Sequence, residues 1–331
     1  MDVDAFAAVH AAQWDRLEAL GRRRRLTGAE VDELVELYQR AATHLSAVRS
    51  AGADPVVIGR LSRIVATGRT ALTGGHEPLT REVARLATVS FPAAVWRSRW
   101  WTAGAAAFTA IIAVLVGYWV AGNARVQAAL GTDEEIRRLV EVDFERYYSE
   151  HPATSFAARV WTNNAWVAAL CVAFGITGVL VVWVLFQNAL NVGIVGGLMA
   201  ANDRLDVFFA LITPHGLLEL TAVFVAAGAG LRLFWAWVDP GPMPRGCALA
   251  REGRAMVTVA MGLVVVLAIS GVLEAFVTPS PLPTWARIAI GAVTWLAFLA
   301  YVAHFGRRAA LAGETGDLRA DLVEAARPTA A

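Results

Sequence analysis

Apolar positions recur at helical spacing through residues 1–95 and then fuse into long runs from Trp100 onward. In the first part Phe6, Val9, Trp14, Leu17 and Leu20 are loosely periodic and stop at Gly21 and the basic run Arg22–Arg25. Thr27, with Glu30 three residues on, has the form of a capping box. It opens a helix through Val31, Leu34, Leu37, Tyr38 and Leu45 that ends near Gly52. A third helix follows Pro55, with Val57, Ile58, Leu61, Ile64 and Val65 on one face. Gly74-Gly75 breaks the pattern, and a fourth helix runs toward the membrane from about Leu79. The pattern predicts a cytosolic helical domain over 1–95.

A helix needs about 20 apolar residues to cross a bilayer. Six hydrophobic segments qualify or nearly do: 102–122, 163–186, 189–213, 214–237, 256–277 and 286–305. The third is interrupted by Asn202–Asp206, and 189–201 covers only about 20 Å as a helix. It is expected to be broken or re-entrant, because irregular backbone at membrane depth must be satisfied by protein or trapped water. Residues 123–160 form a polar insertion with a second capping box, Thr132 and Glu135, leading into Ile136, Leu139, Val140 and Phe144. The expected fold is all-α: a polytopic bundle over 96–305 with an amphipathic external insertion at 123–160. A cytosolic tail, 306–331, is expected to be disordered beyond its first turn.

Composition agrees with that pattern. The 331 residues are 57% hydrophobic and only 17% charged, below the quarter of a soluble domain. A net charge of +1 gives no basis for nucleic-acid binding. Cys171 lies in an apolar run and Cys247 in a polar loop, which argues against a disulfide and supplies no metal signature. Arginine placement orients the chain. Arg97 and Arg99 precede the first span, Arg245, Arg251 and Arg254 lie between the fourth and fifth, and Arg307 and Arg308 follow the last. The positive-inside rule then puts both termini in the cytoplasm and 123–160 outside. Arg81, Arg85, Arg97 and Arg99 with Trp96, Trp100 and Trp101 read as an interfacial anchor.

Ionisable residues inside such runs are the candidate chemistry, because each costs several kcal/mol at membrane depth unless paired or working. His215 and Glu219 are four apart and share a helical face. Glu219 lies five residues after Pro214, and Glu274 five before Pro279, so antiparallel helices bring the two carboxylates to similar depth. Asn163 and Asn164 open the second segment at the same end, whereas Asn188 and Asn191 fall near the opposite end of the second and third. Three readings compete for this cluster: interhelical hydrogen bonding that fixes the bundle, a proton-coupled transport site, and a metal-dependent hydrolase. One His with two Glu is thin for zinc, and no nucleotide loop or catalytic triad stands out, so no catalytic residue, metal or cofactor is assigned. Gly193, Gly196, Gly197, Gly228 and Gly230 allow close backbone approach, and dimerisation through them stays open.

These residues in this order resemble the stage II sporulation protein M family of integral membrane proteins. The resemblance covers about 85–310 and rests on Phe91-Pro92, Asn163-Asn164, and Asn188 with Asn191 and Gly193. Its specific element is Pro214-His215-Gly216-x-x-Glu219, followed by Glu274. The long N-terminal part and the absence of lysine are similar to the branch found in GC-rich, actinobacterial-type bacteria. The resemblance implies a non-enzymatic scaffold in the plasma membrane that organises an envelope or wall-remodelling complex. Partners would then be other envelope proteins and the lipid bilayer itself.

Overall fold

The computed structural model describes residues 3–23, 26–51, 55–72, 79–143 and 153–317. The Gly74-Gly75 break, the middle of the 123–160 insertion and the tail beyond Asp317 lie outside the described residues. Every regular element described is helical. The chain divides into two compact units, Met1–Glu82 and Val83–Ala331. The division comes before the position 95 expected from the sequence, because Phe91, Ala94 and Val95 share a core with the membrane helices.

The first unit contains α1 (Val3–Gly21), α2 (Gly28–Ser50) and α3 (Pro55–Leu72). Its core joins Trp14, Leu17 and Leu20 of α1 to Leu34, Ala41 and Val48 of α2 and Leu61 and Ile64 of α3. The capping box forms as expected, with the Thr27 side chain accepting from the Glu30 amide and Glu30 accepting from the Thr27 amide. Arg16 holds Glu33 through two hydrogen bonds, of 2.9 and 2.8 Å.

His44 sits at one edge of this core. Its Nδ1 accepts a hydrogen bond of 3.2 Å from the Trp14 indole, and its ring lies 4.1 Å from that of His10. Burial first, and then the neighbouring His10, hold its pKa below the usual 6.5. The unfolded chain therefore binds more protons than the folded one just below that value. The associated stability is complete above about pH 6.5 and is lost as the pH falls. His44→Gln is expected to flatten the fall in thermal stability of the N-terminal unit between about pH 7.5 and 5.5. Parallel pH profiles for the two proteins would remove His44 as the cause.

The second unit begins at Val83, within α4 (Leu79–Arg85), and continues through a π-helical turn at Leu86–Ser90 and α5 (Phe91–Arg97). The chain turns at Ser98, whose hydroxyl donates to the Ala94 and Val95 carbonyls at 3.1 Å, and enters α6 (Arg99–Ala121). Two short helices, α7 (Ala124–Leu130) and α8 (Asp133–Arg138), start the insertion. Then come α9 (Ala153–Ala173), α10 (Val179–Ala201), α11 (Leu205–Val238), α12 (Arg245–Val272), α13 (Thr284–Tyr301) and α14 (Arg307–Leu311). A π-helical turn at Leu273–Val277 prolongs α12, and another at Val302–Gly306 joins α13 to α14. Among the described residues five helices are long and apolar enough to cross a bilayer, and Asn164–Ala173 adds a shorter apolar stretch.

Side-chain and backbone contacts give the direction of each crossing. Along α6 and α10, Ala113 meets Gly193 and Gly117 meets Gly197, so these two run parallel. Thr102 meets Gly228 and Val120 shares a cluster with Phe208, so α11 runs against α6. Cys171 and Gly175 meet Gly230, while Gly291 meets Pro214 and Trp295 meets Thr221. Ser270 bonds His215 and Arg232 bonds Glu252, which sets α12 against α11. The six segments therefore alternate in direction, as their apolar runs predict.

Their boundaries differ from the expected ones. The 163–186 run is split by a turn at Gly175–Gly178, and 189–213 is not a broken span. Instead α10 is continuous to Ala201, and residues 202–204 are a plain turn. Gly178 adopts φ +62°, with the Phe234 ring where a Cβ would stand, so both conformation and packing require glycine. Pro214 lies inside α11 rather than at its start. A proline removes one helical hydrogen bond, a loss that neighbouring groups offset in membrane helices. At about 1.5 Å per residue α11 is roughly 50 Å long, more than a bilayer core is thick.

The start of the insertion is apolar on one side. Val126, Ile136, Leu139 and Val140 pack with Val120, Leu198, Met199 and Phe208 at the ends of α6, α10 and α11. The tail is ordered further than expected. Residues 312–317 fold back on α5 and α12, where Thr258 donates to the Gly316 carbonyl at 2.8 Å and Arg254 grips Asp317 at 2.7 and 2.6 Å.

Candidate functional site

Near one end of the bundle, α9, α11 and the π-helical turn that prolongs α12 bring together the polar residues that stood out in the sequence. His215, Glu219 and Glu274 are 3%, 5% and 1% exposed. Glu219 is bonded by the side chain of Asn164 on α9. His215 Nδ1 lies 3.2 Å from the Thr278 hydroxyl, and its backbone carbonyl accepts from Ser270 at 3.1 Å. Its Nε2 faces Glu274 Oε1 at 3.8 Å, too far for a hydrogen bond. Neither oxygen of Glu274 has a hydrogen-bond partner among the described residues.

Backbone irregularity places these groups. Glu274 lies in the π-helical turn Leu273–Val277, the kind of distortion that often marks functional positions. Pro214 precedes His215, and its carbonyl is where a side chain on Gly291 would stand, 2.1 Å from a Cβ, so α13 runs against the α11 backbone there. Gly216 adjoins Ile212 in the same stretch. Arg287 of α13 donates to the Thr278 carbonyl at 2.7 Å.

The structure gathers Asn164, His215, Glu219 and Glu274, while the side chain of Asn163 lies outside the described residues. Asn188 and Asn191 do not join them. They lie in the middle of α10 rather than near a segment end, since the turn they were expected to flank is at 175–178. Asn191 is exposed, and the amide nitrogen of Asn188 is buried without a partner among the described residues. No group of three His, Cys, Asp or Glu side chains among the described residues has metal-ligating geometry.

Sequence reasoning missed an ionic knot at the other end. Glu252 of α12, 4% exposed, accepts from Arg97 at 2.9 Å, Arg232 at 2.7 Å and Arg251 at 3.1 Å. Arg97 also donates to the Thr315 carbonyl, and Arg232 to the carbonyl of Arg97. The knot thereby ties α5, α11, α12 and the tail. Arg232, inside an otherwise apolar run, was the signal in the sequence, because a cation there calls for a buried anion. Apart from both clusters, a largely apolar cavity of about 480 Å³ lies between α12 and α13, with Phe91 and Leu218 among its walls.

Comparison with known proteins adds to this geometry. The family model for stage II sporulation protein M matches residues 106–279, and that of a domain of unknown function (DUF8413) matches 4–74. The chain is similar to the uncharacterized protein MJ0793 of Methanocaldococcus jannaschii, at 37% identity over 76 residues. That similarity covers 22% of this chain and 43% of the relative, so the chain spans less than half the length of the curated relative it matches. No solved structure matches.

Proposed function

The chain belongs to the stage II sporulation protein M family, and on that premise we propose that it is a non-enzymatic membrane scaffold for an envelope-associated complex. The observation that carries this reading is the union of two parts in one chain. A three-helix unit with its own core is joined to a multi-pass bundle braced by ionic contacts. The first part is a docking module and the second an anchor. Large apolar side chains left exposed on the module, Val9 and Val56 at 74% each, suit it to a protein partner. Arg97, Arg232, Arg251 and Arg254 gather at one end of the bundle, which supports placing that end in the cytoplasm of a plasma membrane. The insertion that begins at α7 is then external, with wall-remodelling or other envelope proteins within reach.

The reading is tested by capturing the tagged protein in mild detergent after crosslinking in cells. A stoichiometric envelope partner, lost when residues 1–82 are removed, is the expected result. A chain recovered alone would contradict it. The unpartnered Glu274 favours a second reading, a transporter that couples cation movement to a substrate. That reading expects Glu219→Gln to abolish flux without changing abundance or partners.

A further inference from the structure

The Glu274 carboxylate is completely enclosed, and no group described donates to either of its oxygens. A bare carboxylate away from water costs more than one partnered hydrogen bond returns, so it is compensated by a cation or a donor. The charged and titratable groups that face it are few. Among the described residues they are His215 and Glu219 on α11, while Arg287 on α13 is engaged with the Thr278 carbonyl and the Thr284 hydroxyl. Asn164 on α9 serves Glu219, and Ser270 on α12 and Thr278 just beyond its π-helical turn are turned to His215. The single basic neighbour, His215, stands at 3.8 Å and does not bond the carboxylate. Both oxygens of Glu274 are therefore available to a small positive charge.

We propose that the junction of His215, Glu219 and Glu274 binds one small monovalent cation, with Glu274 as its principal ligand. A proton bonded to one Glu274 oxygen and a sodium ion held beside it supply the same charge by different chemistry, and titration with acid or with sodium separates them. Either one neutralises the orphaned carboxylate and lowers the cost of keeping it at membrane depth. The site does not depend on the scaffold reading, and it supplies the ion that the transport reading needs. Cation binding without flux would support the site while counting against transport.

The experiment uses the purified full chain in detergent micelles. Its unfolding temperature is followed in choline chloride from about pH 10.5 to 6. At about pH 10.5, choline is then replaced by sodium at constant ionic strength. Wild type is compared with Glu274→Gln, whose amide needs no counter-ion. At high pH in choline, E274Q is expected to unfold a few degrees above wild type, and the gap closes as the cation is supplied. Closure by acid alone identifies a proton, and closure by sodium identifies the ion. The acid-sensitive pairs at the arginine end are common to both proteins, so the difference isolates Glu274. A constant gap, or none, through both titrations would overturn the proposal. If E274Q does not accumulate, infrared spectroscopy of wild type replaces it. A protonated-carboxyl band that vanishes with base or sodium supports the site, and a spectrum unmoved by either overturns it.

Discussion

Replacing Glu252 with leucine is expected to cost about 3–5 kcal/mol of stability, enough to remove most of the folded protein. The carboxylate is the common acceptor for Arg97, Arg232 and Arg251, and the side chains of the first two are only 17% and 25% exposed. Removing it leaves cations partly out of water with no anion, the situation in which breaking a buried ion pair is most damaging. E252Q should be intermediate, because the amide keeps one acceptor oxygen but no charge. Arg232→Leu on top of E252L should cost less than the sum of the two, since the first change has already broken their bond. Asp317→Ala should be milder, because its partner Arg254 is 32% exposed and partly rehydrated. Thermal unfolding and fluorescence-detected gel filtration in detergent measure all four. An E252L protein within about 0.5 kcal/mol of wild type would show that the knot does not brace the bundle.

Valine at Gly197 is the second change expected to be severe. A Cβ there would stand 2.7 Å from both the Gly117 carbonyl oxygen and the Val120 Cβ, so α6 and α10 must separate to admit it. Gly193, one turn earlier, meets the Ala113 carbonyl oxygen at the same 2.7 Å. The two glycines form a small-xxx-small face, which lets backbones touch where lipid offers no hydrophobic drive for association. Overpacking usually costs about 1–3 kcal/mol, and backbone against backbone has little room to relax, so G197V should lie at the upper end or beyond. Gly104 on α6 is the internal control. A Cβ there meets nothing within 4 Å, and G104A should be neutral or stabilising by up to about 1 kcal/mol through helix propensity. Equal melting temperatures for G104A and G197V would refute the close crossing.

The sequence disclosed helix type and the two capping boxes because both are local. Thr27 and Glu30, like Thr132 and Glu135, satisfy each other within one turn. It also disclosed that His215, Glu219 and Glu274 would meet, although Pro214 was expected to open a helix and instead sits within one. The meeting follows from antiparallel helices and the i,i+4 spacing, neither of which depends on where α11 begins. Two turns were misplaced for one reason. Gly175–Gly178 lies in an apolar run and carries no polar residue except Thr177, so hydropathy passes over it. Asn202–Asp206, polar and conspicuous, was read either as the outer end of a short helix or as a break within a span, and residues 202–204 are the connection between two helices. The glutamate knot was illegible because its members come from positions 97, 232, 251 and 252, and only packing brings them together. The boundary at Glu82 was missed similarly, since the interfacial look of residues 83–95 conceals a face that packs on α12.

The scaffold account is tested most directly by photo-crosslinking in living cells from Val9 and Val56, exposed positions on the N-terminal unit, with Leu17 in its core as the silent control. The account predicts one discrete heterologous adduct from both exposed positions and none from Leu17. Adducts that are absent, or that consist only of a second copy of this chain, would contradict it.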